Sequence, residues 1–436
     1  MAIMTDGVRT VAARPRQIRW WVGAFWAGVA ATLLPWTLGS GAEFLNDPIT
    51  GIGRVAGLVS GYLIAVQLLL MSGRARHSST WHRWIGGTVF AFLVAHLVFI
   101  TFGYAAGASV VDQTWNFIRG YPWLLAAYVA FALFTMVGLT SIRALKRRLR
   151  YETWYHLHLY TYLAAALAFT HQITAGADLT GLTTWFWILL YGSAFAVAIW
   201  GRLVRPLRLT MRHRFRVSRV VAEAPGVASV HIAGRHLRGL NARPGQFFRF
   251  RFLARNAWWQ AHPFSLSAAP GADGLRITVK ALGDHTRDLQ TLPAGTRVIV
   301  EGPYGDFTAD SRVNDKVVLV AAGIGITPIR ALLEDLPPGA GRAVVIYRAR
   351  SESEIVFADE LRELAYTRGA HLIYLLGDDH DRRSRDALTP RGLRQLVPDI
   401  ADRDAFVCGP PGLVRHLRGV LSKLDVRQVH LDPFEL

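Results

Sequence analysis

Six long apolar stretches constrain the fold of this chain more than any other feature of its sequence. They lie at about residues 20–39, 53–71, 84–104, 122–142, 154–173 and 183–201. Each is close to the roughly 20 residues that a membrane-spanning helix needs. The first stretch could instead be a signal peptide, because small residues follow it at 39–42, but its apolar run is longer than the usual core of one. After Arg202 the pattern changes to short β-rich runs such as 247–252, which indicate a soluble module.

The basic residues are distributed in a way that predicts the orientation in the membrane. The formal net charge is +18, and the arginines and lysines cluster before the first apolar stretch and after the second, fourth and sixth. The other loops carry Glu43, Asp47, Asp112 and Asp178. By the positive-inside rule, the N-terminus and everything after Arg202 lie in the cytosol of a multi-pass cell-membrane protein. No basic cluster is interleaved with aromatic residues on a soluble face, so nucleic-acid binding is not expected.

Cysteine usage excludes two kinds of site. Cys408 is the only cysteine of the chain and lies in its soluble half. An intramolecular disulfide is therefore impossible, and no zinc or iron–sulfur site can be built from several cysteines.

Histidines inside the apolar stretches are the candidate metal ligands, because such side chains are costly in a membrane and usually functional. The third stretch has His82 near its cytosolic end and His96 deeper, 14 residues apart. On a helix this spacing leaves the two about 21 Å apart and within roughly 40° of one face. The fifth stretch has His156 and His158 near its cytosolic end and His171 near its outer end. Two such spans could hold two stacked haems, each ligated by one histidine from each span.

Helix geometry alone favours His156 as the inner ligand of the fifth span. His171 is 15 residues from His156 and 13 from His158, which on an ideal helix corresponds to angles of about 60° and 140°. The run from Trp154 to His171, with Leu157-His158, Tyr162 and His171, resembles the fifth span of the ferric reductase and NADPH oxidase superfamily. In that family the histidine after the leucine is the ligand. The resemblance therefore implies the metal ligands His82, His96, His158 and His171, with a wide turn or tilt in the fifth helix and with His156 as second choice.

The soluble module contains a run that resembles a flavin-binding strand. The residues are His262-Pro263-Phe264-Ser265-Leu266-Ser267, the form found in the ferric reductase and NADPH oxidase branch of ferredoxin-NADP reductase-like proteins. An extended strand can lay backbone amides and the Ser265 hydroxyl along the flavin edge. Gly283-Asp284-His285-Thr286 resembles the diphosphate turn of the family, and Gly302-Pro303-Tyr304-Gly305 resembles the turn that closes its barrel. The resemblance implies these flavin-binding residues: His262, Pro263, Phe264, Ser265, Leu266, Ser267, Lys280, Gly283, Thr286, Gly302 and Gly305.

From Lys316 onward the chain is typical of strand, glycine loop and helix. The loop Ala322-Gly323-Ile324-Gly325-Ile326-Thr327-Pro328 resembles the nicotinamide-nucleotide loop of the same family, and Cys408-Gly409-Pro410-Pro411 resembles its second signature. Two cations, Arg348 and Arg350, follow a predicted strand where the family holds the adenosine ribose. They favour NADPH over NADH, since guanidinium groups suit a 2′-phosphate. The implied nucleotide-binding residues are Gly323, Gly325, Thr327, Pro328, Arg348, Arg350, Gly409 and Pro410, and the implied catalytic residues are Cys408 and the flavin-stacking Phe434.

The predicted fold is a membrane six-helix haem-binding bundle followed by a β-barrel FAD domain and an α/β nucleotide-binding domain. The predicted boundaries are 1–19 for a cytosolic N-terminal segment, 20–205 for the six-span domain, 206–310 for the FAD domain and 311–436 for the NAD(P)H domain.

The resemblance implies electron transfer from NADPH to FAD, then to an inner haem b on His82 and His158, then to an outer haem b on His96 and His171. The expected acceptor on the outer face is dioxygen, reduced to superoxide, with a ferric chelate as the alternative. Quinone, a periplasmic protein or a non-catalytic redox-sensing role are further alternatives. No EF-hand pattern is present, so calcium binding is not expected. The oligomeric state stays open.

Overall fold

The computed structural model describes residues 15–72, 78–149, 151–176, 178–254, 258, 260–272, 274–378 and 381–433. It divides into two compact units, one comprising Ala13–Val204 and the other containing Arg205–Leu436.

The first unit consists of helices joined by short turns in its described residues. Its helices are α1 (Pro15–Gly39), α2 (Gly41–Asn46), α3 (Pro48–Ser72), α4 (Ser78–Ala105), α5 (Val110–Gly120), α6 (Leu124–Ser141), α7 (Arg143–Lys146), α8 (Tyr151–Ala175) and α9 (Leu182–Ile199). A π-helical turn, Trp200–Val204, follows α9.

Five helices among the described residues are long and apolar enough to cross a membrane, by length and composition alone. They correspond to the first, second, third, fourth and sixth predicted spans. The fifth predicted span forms α8, which has 25 residues but does not meet the same standard of apolarity. Its sequence explains this difference, because it carries three histidines together with Gln172 and several hydroxyl side chains.

Glycines let α3 and α4 pack closely against each other. A Cβ atom added at Gly53 would lie 2.8 Å from the backbone nitrogen of Ile100, so only a residue without a side chain fits at this crossing. Small residues have the same effect at many helix contacts in membranes. The core of the unit lies beside this crossing and includes Tyr62, Trp187 and Tyr191.

Two short helices, α2 and α5, lie in segments that the sequence predicted only as loops. Helix α5 begins after Ser109, whose hydroxyl accepts a hydrogen bond from the backbone N–H of Asp112 at 3.3 Å. The helix buries Phe117, and its apolar and polar residues are equally numerous. With 11 residues it is too short to cross a membrane, so the search for apolar spans did not find it.

The second unit begins with α10 (Arg205–His213) and contains two antiparallel sheets of three strands each. One sheet has the order β1-β2-β5 and the other β4-β3-β6. The strands are β1 (Arg216–Ala224), β2 (Val227–Ala233), β3 (Phe247–Phe252), β4 (His262–Ser265), β5 (Gly274–Lys280) and β6 (Val298–Tyr304). Isolated bridges at Arg216–Arg297 and Leu266–Ile277 join the sheets, so the predicted barrel is two bridged sheets rather than one continuous ladder in the described residues.

The remainder of the second unit is a parallel five-stranded sheet with the order β11-β10-β7-β8-β9. Its strands are β7 (Val317–Ala322), β8 (Ala343–Ala349), β9 (His371–Leu376), β10 (Asp404–Gly409) and β11 (Val429–Pro433). The helices of the second unit after α10 are α11 (Asp284–Asp288), α12 (Ile326–Asp335), α13 (Ala358–Arg368), α14 (Arg382–Ala387), α15 (Pro390–Leu396) and α16 (Pro411–Lys423). The central strand β7 is buried along its whole length, as expected for a parallel sheet that is covered on both faces. Ligands of such sheets bind beyond the carboxyl ends of the strands.

Candidate functional site

The inner histidines lie beside each other on two different helices. His82 of α4 and His158 of α8 have ring centroids 5.8 Å apart, with the rings at 73°. The side chain of Gln67 fixes His82: its amide nitrogen donates to the His82 carbonyl at 2.8 Å, and its amide oxygen lies 2.5 Å from His82 Nδ1. Because an amide oxygen can only accept, Nδ1 of His82 donates and its Nε2 keeps a lone pair that can bind a metal.

The structure brings His158, and not His156, to His82. The ring of His158 stacks on Trp154 at 5.1 Å, and its Nδ1 lies 3.5 Å from the hydroxyl of Ser141. The side chain of His156 is exposed. Helix α8 is α-helical through all of its residues, so it contains no wide turn, and a tilt of this helix stays a prediction.

The outer histidines line one cavity of about 220 Å³ in the first unit, together with Gly57, Arg54 and Tyr128. The ring Nδ1 of His96 donates to the carbonyl of Gly53 at 2.8 Å, which leaves its Nε2 with the lone pair. A Cβ atom at Gly57 would lie 2.6 Å from His96 Nδ1. Any larger residue at position 57 would therefore displace the His96 imidazole from its observed position.

His171 supplies the test of whether this cavity suits a haem. Its Nδ1 is buried and has no hydrogen-bond partner among the described residues. Buried polar atoms are rarely left in that state. Two imidazoles on opposite helices, in a cavity whose walls are mostly apolar, form the donor set of a haem iron with two histidine ligands. The described residues contain no group of three or more His, Cys, Asp or Glu placed to hold a metal ion, whereas a haem iron needs only two.

Arg54 lies at the edge of the same cavity and is held by two carboxylates. Its Nη1 is 3.1 Å from Glu43 and 3.8 Å from Asp178, and Asp178 also accepts a hydrogen bond from Ser40. The charge of Arg54 is therefore balanced by protein groups. Of the four side chains in this cluster, Arg54 and Asp178 line the cavity.

In the second unit, some side chains of the predicted flavin-binding motif 262–267 face solvent and others face the core. Strand β4 pairs with β3, and Pro263 is exposed, whereas Leu266 and Ser267 are fully buried. The Ser267 hydroxyl accepts a hydrogen bond from Thr278 at 2.8 Å, and Thr278 is bonded in turn to Ser229. The side chains of Leu266 and Ser267 thus belong to the core, and only their backbone is available to a flavin.

Several of the other predicted flavin-binding residues contact neighbouring residues of the same unit. The Thr286 hydroxyl accepts from the backbone N–H of Leu282 and Gly283 at 2.9 and 3.0 Å, so it caps the start of α11. The rings of His262 and His285 stack at 3.9 Å. Lys280 pairs with Glu354 at 3.7 Å. These contacts hold the predicted diphosphate turn in place beside the end of β5.

Two further glycines support the neighbouring strand. Gly302 has φ +149° and a Cβ there would lie 2.4 Å from the Phe248 ring, whereas Gly305 has φ +89°. Both positions favour glycine for conformational as well as steric reasons.

The two predicted nucleotide-binding segments meet at the carboxyl edge of the parallel sheet. Gly323 has φ +54°, and a Cβ at Gly325 would lie 2.3 Å from the carbonyl oxygen of Cys408. Thr327 donates its hydroxyl hydrogen to the Ile324 carbonyl at 3.0 Å, and Pro328 is buried in the first turn of α12. The loop therefore places the start of α12 beside Gly409 and Pro410, where a helix N-terminus can bind a diphosphate.

Asp432 is a functional candidate that the sequence analysis missed. The Cys408 thiol is fully buried and donates to the Asp432 carbonyl oxygen at 3.1 Å, with the Asp432 carboxylate at 3.8 Å. Burial raises the pKa of Asp432 to about 6, although the hydrogen bond from Cys408 opposes this change. Burial and the neighbouring carboxylate raise the pKa of the Cys408 thiol well above its ordinary value, so the thiol stays protonated. No spacing rule pointed to Asp432, since only the parallel register of β10 and β11 brings it to Cys408.

Arg348 and Arg350 differ in their surroundings. Arg348 donates to the Ser384 hydroxyl at 3.2 Å and to the Asp378 carbonyl at 3.0 Å, whereas Arg350 is exposed. Phe434, the predicted stacking residue, lies outside the described residues.

A network of ion pairs joins the sheets around β4 to the parallel-sheet domain, and the sequence did not predict it. Arg276 of β5 donates to both oxygens of Glu360 on α13, at 2.7 and 2.8 Å, and to the Ser267 carbonyl at 2.8 Å. Arg330 of α12 donates to the same Glu360 at 2.8 Å and also pairs with Glu334. Burial acts to raise the pKa of Glu360, but the bonds and charges of the two arginines outweigh it and lower this pKa. One carboxylate, that of Glu360, thereby connects β5, whose Arg276 also bonds the predicted flavin-binding motif at Ser267, to helix α12 after the predicted nucleotide loop.

Three family descriptions match the chain in succession. They are a ferric reductase like transmembrane component over residues 50–169, a FAD-binding domain over residues 215–308 and an oxidoreductase NAD-binding domain over residues 319–419.

Individual relatives match mainly the second half of the chain. The ferredoxin reductase component of a 3-ketosteroid-9-alpha-monooxygenase from Mycobacterium tuberculosis is 32% identical over 206 residues, which are 45% of this chain and 56% of that protein. Respiratory burst oxidase homolog protein D from Arabidopsis thaliana is 31% identical over 42% of this chain and 22% of its own length. The flavohaem-like FAD/NAD binding domain of a nitric oxide dioxygenase from Vibrio cholerae is 25% identical with a TM-score of 0.44, covering 50% of this chain and 97% of that structure. The chain spans about half the length of the first curated relatives that it matches.

Replacing Gly57 by Ala should remove the outer haem and leave the flavin content unchanged. The added Cβ would lie 2.6 Å from His96 Nδ1 and would displace the ring from its bond to Gly53. Haem and flavin absorbance per polypeptide of the purified protein would measure both contents. Gly87→Ala is the matched control, because Gly87 lies on the same helix as His96 with nothing within 4 Å of its Cβ position. Full haem content in Gly57→Ala would contradict the assignment of this cavity.

Proposed function

Since the chain belongs to the ferric reductase and NADPH oxidase superfamily, we propose that it is a transmembrane NADPH-dependent oxidoreductase. It carries electrons from cytosolic NADPH to an acceptor on the outer face of the cell membrane. The observation that supports this most strongly is the arrangement of the inner pair His82–His158 and the cavity pair His96–His171, because both pairs join the same two helices at different depths.

The proposed ligands need groups that fix their rings. Gln67 holds His82, and the carbonyl of Gly53 holds His96, in both cases through Nδ1. Such partners select the tautomer that presents Nε2 and orient the imidazole. When bound, a haem with two histidine ligands carries single electrons and has no open position at iron, and FAD accepts an electron pair and releases it one electron at a time.

The proposed nucleotide site uses the carboxyl edge of the parallel sheet. The Gly323–Gly325 turn and the start of α12 bind the diphosphate, and Cys408 with Asp432 borders the position of the nicotinamide. Burial raises the pKa of the Cys408 thiol well above its ordinary value, so the thiol stays protonated at neutral pH. Burial also raises the pKa of Asp432 to about 6, so this carboxylate takes up a proton at a higher pH than an ordinary aspartate does.

Dioxygen is the proposed acceptor, reduced by one electron to superoxide. His96 and His171 would hold a haem in the cavity that they line, and a haem held by two histidines would supply single electrons, which suits a one-electron acceptor such as dioxygen. Ferric chelate is the second candidate, supported by the match of residues 50–169 to a ferric reductase like component. Electron delivery to quinone or to a periplasmic protein would use the same path with a different acceptor.

Vesicles of defined orientation test direction and acceptor together. With the cytosolic face outward, added NADPH should be oxidised and superoxide should appear in the lumen, because the predicted topology puts the nucleotide site outside such vesicles. Vesicles of the opposite orientation should be inactive until opened. His96→Ala is the control, since it should still reduce flavin and fail to reduce the acceptor. Superoxide on the NADPH side would contradict the proposed path, whereas turnover with ferric chelate alone would change the acceptor to iron.

Replacing Arg350 by Ala should raise the apparent KM for NADPH while leaving that for NADH nearly unchanged. A charge-assisted bond to a 2′-phosphate contributes about 1.5–3 kcal/mol, and each 1.4 kcal/mol corresponds to about tenfold in binding. Arg348→Ala should change the KM for NADPH relative to that for NADH less than Arg350→Ala does. The reason is that the Arg348 side chain already donates hydrogen bonds to Ser384 and Asp378. Exposed Arg391 of α15 provides the control substitution. An equal change for both nucleotides in Arg350→Ala would show that this arginine does not contact the 2′-phosphate.

A further inference from the structure

The first helix of the second unit presents a surface that the proposed electron path does not use. Between Arg205 and Ala222 the sequence has six arginines and no acidic residue. We call Leu207, Arg208, Met211 and Arg212 of α10, with His236 and Arg238 of the adjoining turn, the α10 surface. It combines exposed apolar side chains with a concentration of positive charge.

The orientation of α10 on its own unit is fixed, so its apolar stripe cannot turn inward. Pro206 and His213 are buried, whereas Leu207 is 51% and Met211 62% exposed. On a helix these two pairs lie roughly 130° apart. At the ends of the helix, Arg205 donates to the Gly302 carbonyl at 2.7 Å, and His213 Nδ1 lies 2.8 Å from the Arg235 carbonyl.

Beside the exposed stripe is a basic cavity. It has a volume of about 400 Å³ and is lined by Arg212, His236, Leu237, Arg238, Gly239 and Ala272. A Cβ at Gly239 would lie 3.4 Å from the Arg212 guanidinium, so this guanidinium lies against the turn that lines the cavity. Guanidinium groups bind phosphate oxygens through paired hydrogen bonds.

We propose that the α10 surface binds anionic phospholipid, with Leu207 and Met211 inserted among the acyl chains and the cavity around Arg212 and Arg238 occupied by a phosphate headgroup. An exposed apolar stripe beside arginines is the pattern of a helix that lies in the membrane interface, and clustered arginines add attraction to anionic lipid. The helix also begins immediately after the π-helical turn that follows α9, within the candidate membrane span Leu182–His213. The inference rests on the chain being a membrane protein and not on its electron acceptor.

Site-specific labelling tests this surface without using enzyme activity. Cys408 is the only cysteine and is buried, so a single introduced cysteine can carry a nitroxide label in the full-length protein. In nanodiscs with phosphatidylglycerol, a label at Met211→Cys should collide more with oxygen and several-fold less with a water-soluble nickel chelate than in nanodiscs of phosphatidylcholine alone. Tyr366→Cys is the control for exposure, because Tyr366 of α13 is 90% exposed. Equal access of the nickel chelate to positions 211 and 366 in both membranes would overturn the proposal.

Substitutions that remove arginine charges test whether anionic lipid causes the difference in label accessibility between the two membranes. In the Met211→Cys background, Arg212→Gln with Arg238→Gln should abolish the difference between the two membranes, whereas Arg415→Gln with Arg418→Gln on α16 removes the same charge elsewhere and should preserve it. If the label accessibility at position 211 still differs between the two membranes in the Arg212→Gln, Arg238→Gln variant, the proposed role of the cavity would be overturned. Loss of the difference on adding inorganic phosphate at constant ionic strength would assign the cavity to a free anion instead of a lipid. Since flavin reduction is not measured, failure here would leave the proposed function untouched.

Discussion

The structure of the first unit depends on how an apolar bundle accommodates imidazole rings. A buried ring nitrogen without a partner is costly, and the helices meet this constraint by giving His82 and His96 acceptors for Nδ1. Those acceptors are the side chain of Gln67 and the carbonyl of Gly53, both on α3. Helix α3 therefore orients both histidines of α4, and glycine at 53 and 57 allows the two helices to approach closely enough for this. Without α3 the rings on α4 would have no fixed tautomer or direction.

In the second unit, ion pairs fix the position of the predicted flavin-binding motif relative to the predicted nucleotide loop. Glu360 accepts hydrogen bonds from Arg276 and Arg330, and these arginines lie on the strand next to the flavin motif and on the helix that follows the glycine loop. Truncating one member of such a partly buried network leaves the others uncompensated. The ion pairs thus link β5, beside the predicted flavin-binding motif, to α12, which follows the glycine loop where Gly325 approaches Cys408.

The sequence predicted those features that depend on local pattern. The lengths of the apolar stretches predicted the long helices. Glycine-containing motifs after β-rich runs predicted the ends of the strands where Gly325 and Cys408 meet. Features that depend on the neighbouring element were missed, such as the partner of His82 on α3, Asp432 beside Cys408, and Arg276 with Glu360. Ideal helix angles favoured His156, yet helix α8 packs against α6 with the ring of His158 beside that of His82. The fifth span was expected to be one of six apolar stretches, but its three histidines and Gln172 make it less apolar than the others, and two of these histidines, His158 and His171, lie beside histidines of α4.

In the proposed function, two pairs of histidines hold two haems at different depths. The haem content per polypeptide of the wild-type protein and of the His158→Ala and His156→Ala variants would measure this. We expect two haems in the wild type, one in His158→Ala and two in His156→Ala, with full flavin content in all three. A single haem in the wild type, or loss of haem in His156→Ala while His158→Ala retains both, would contradict it.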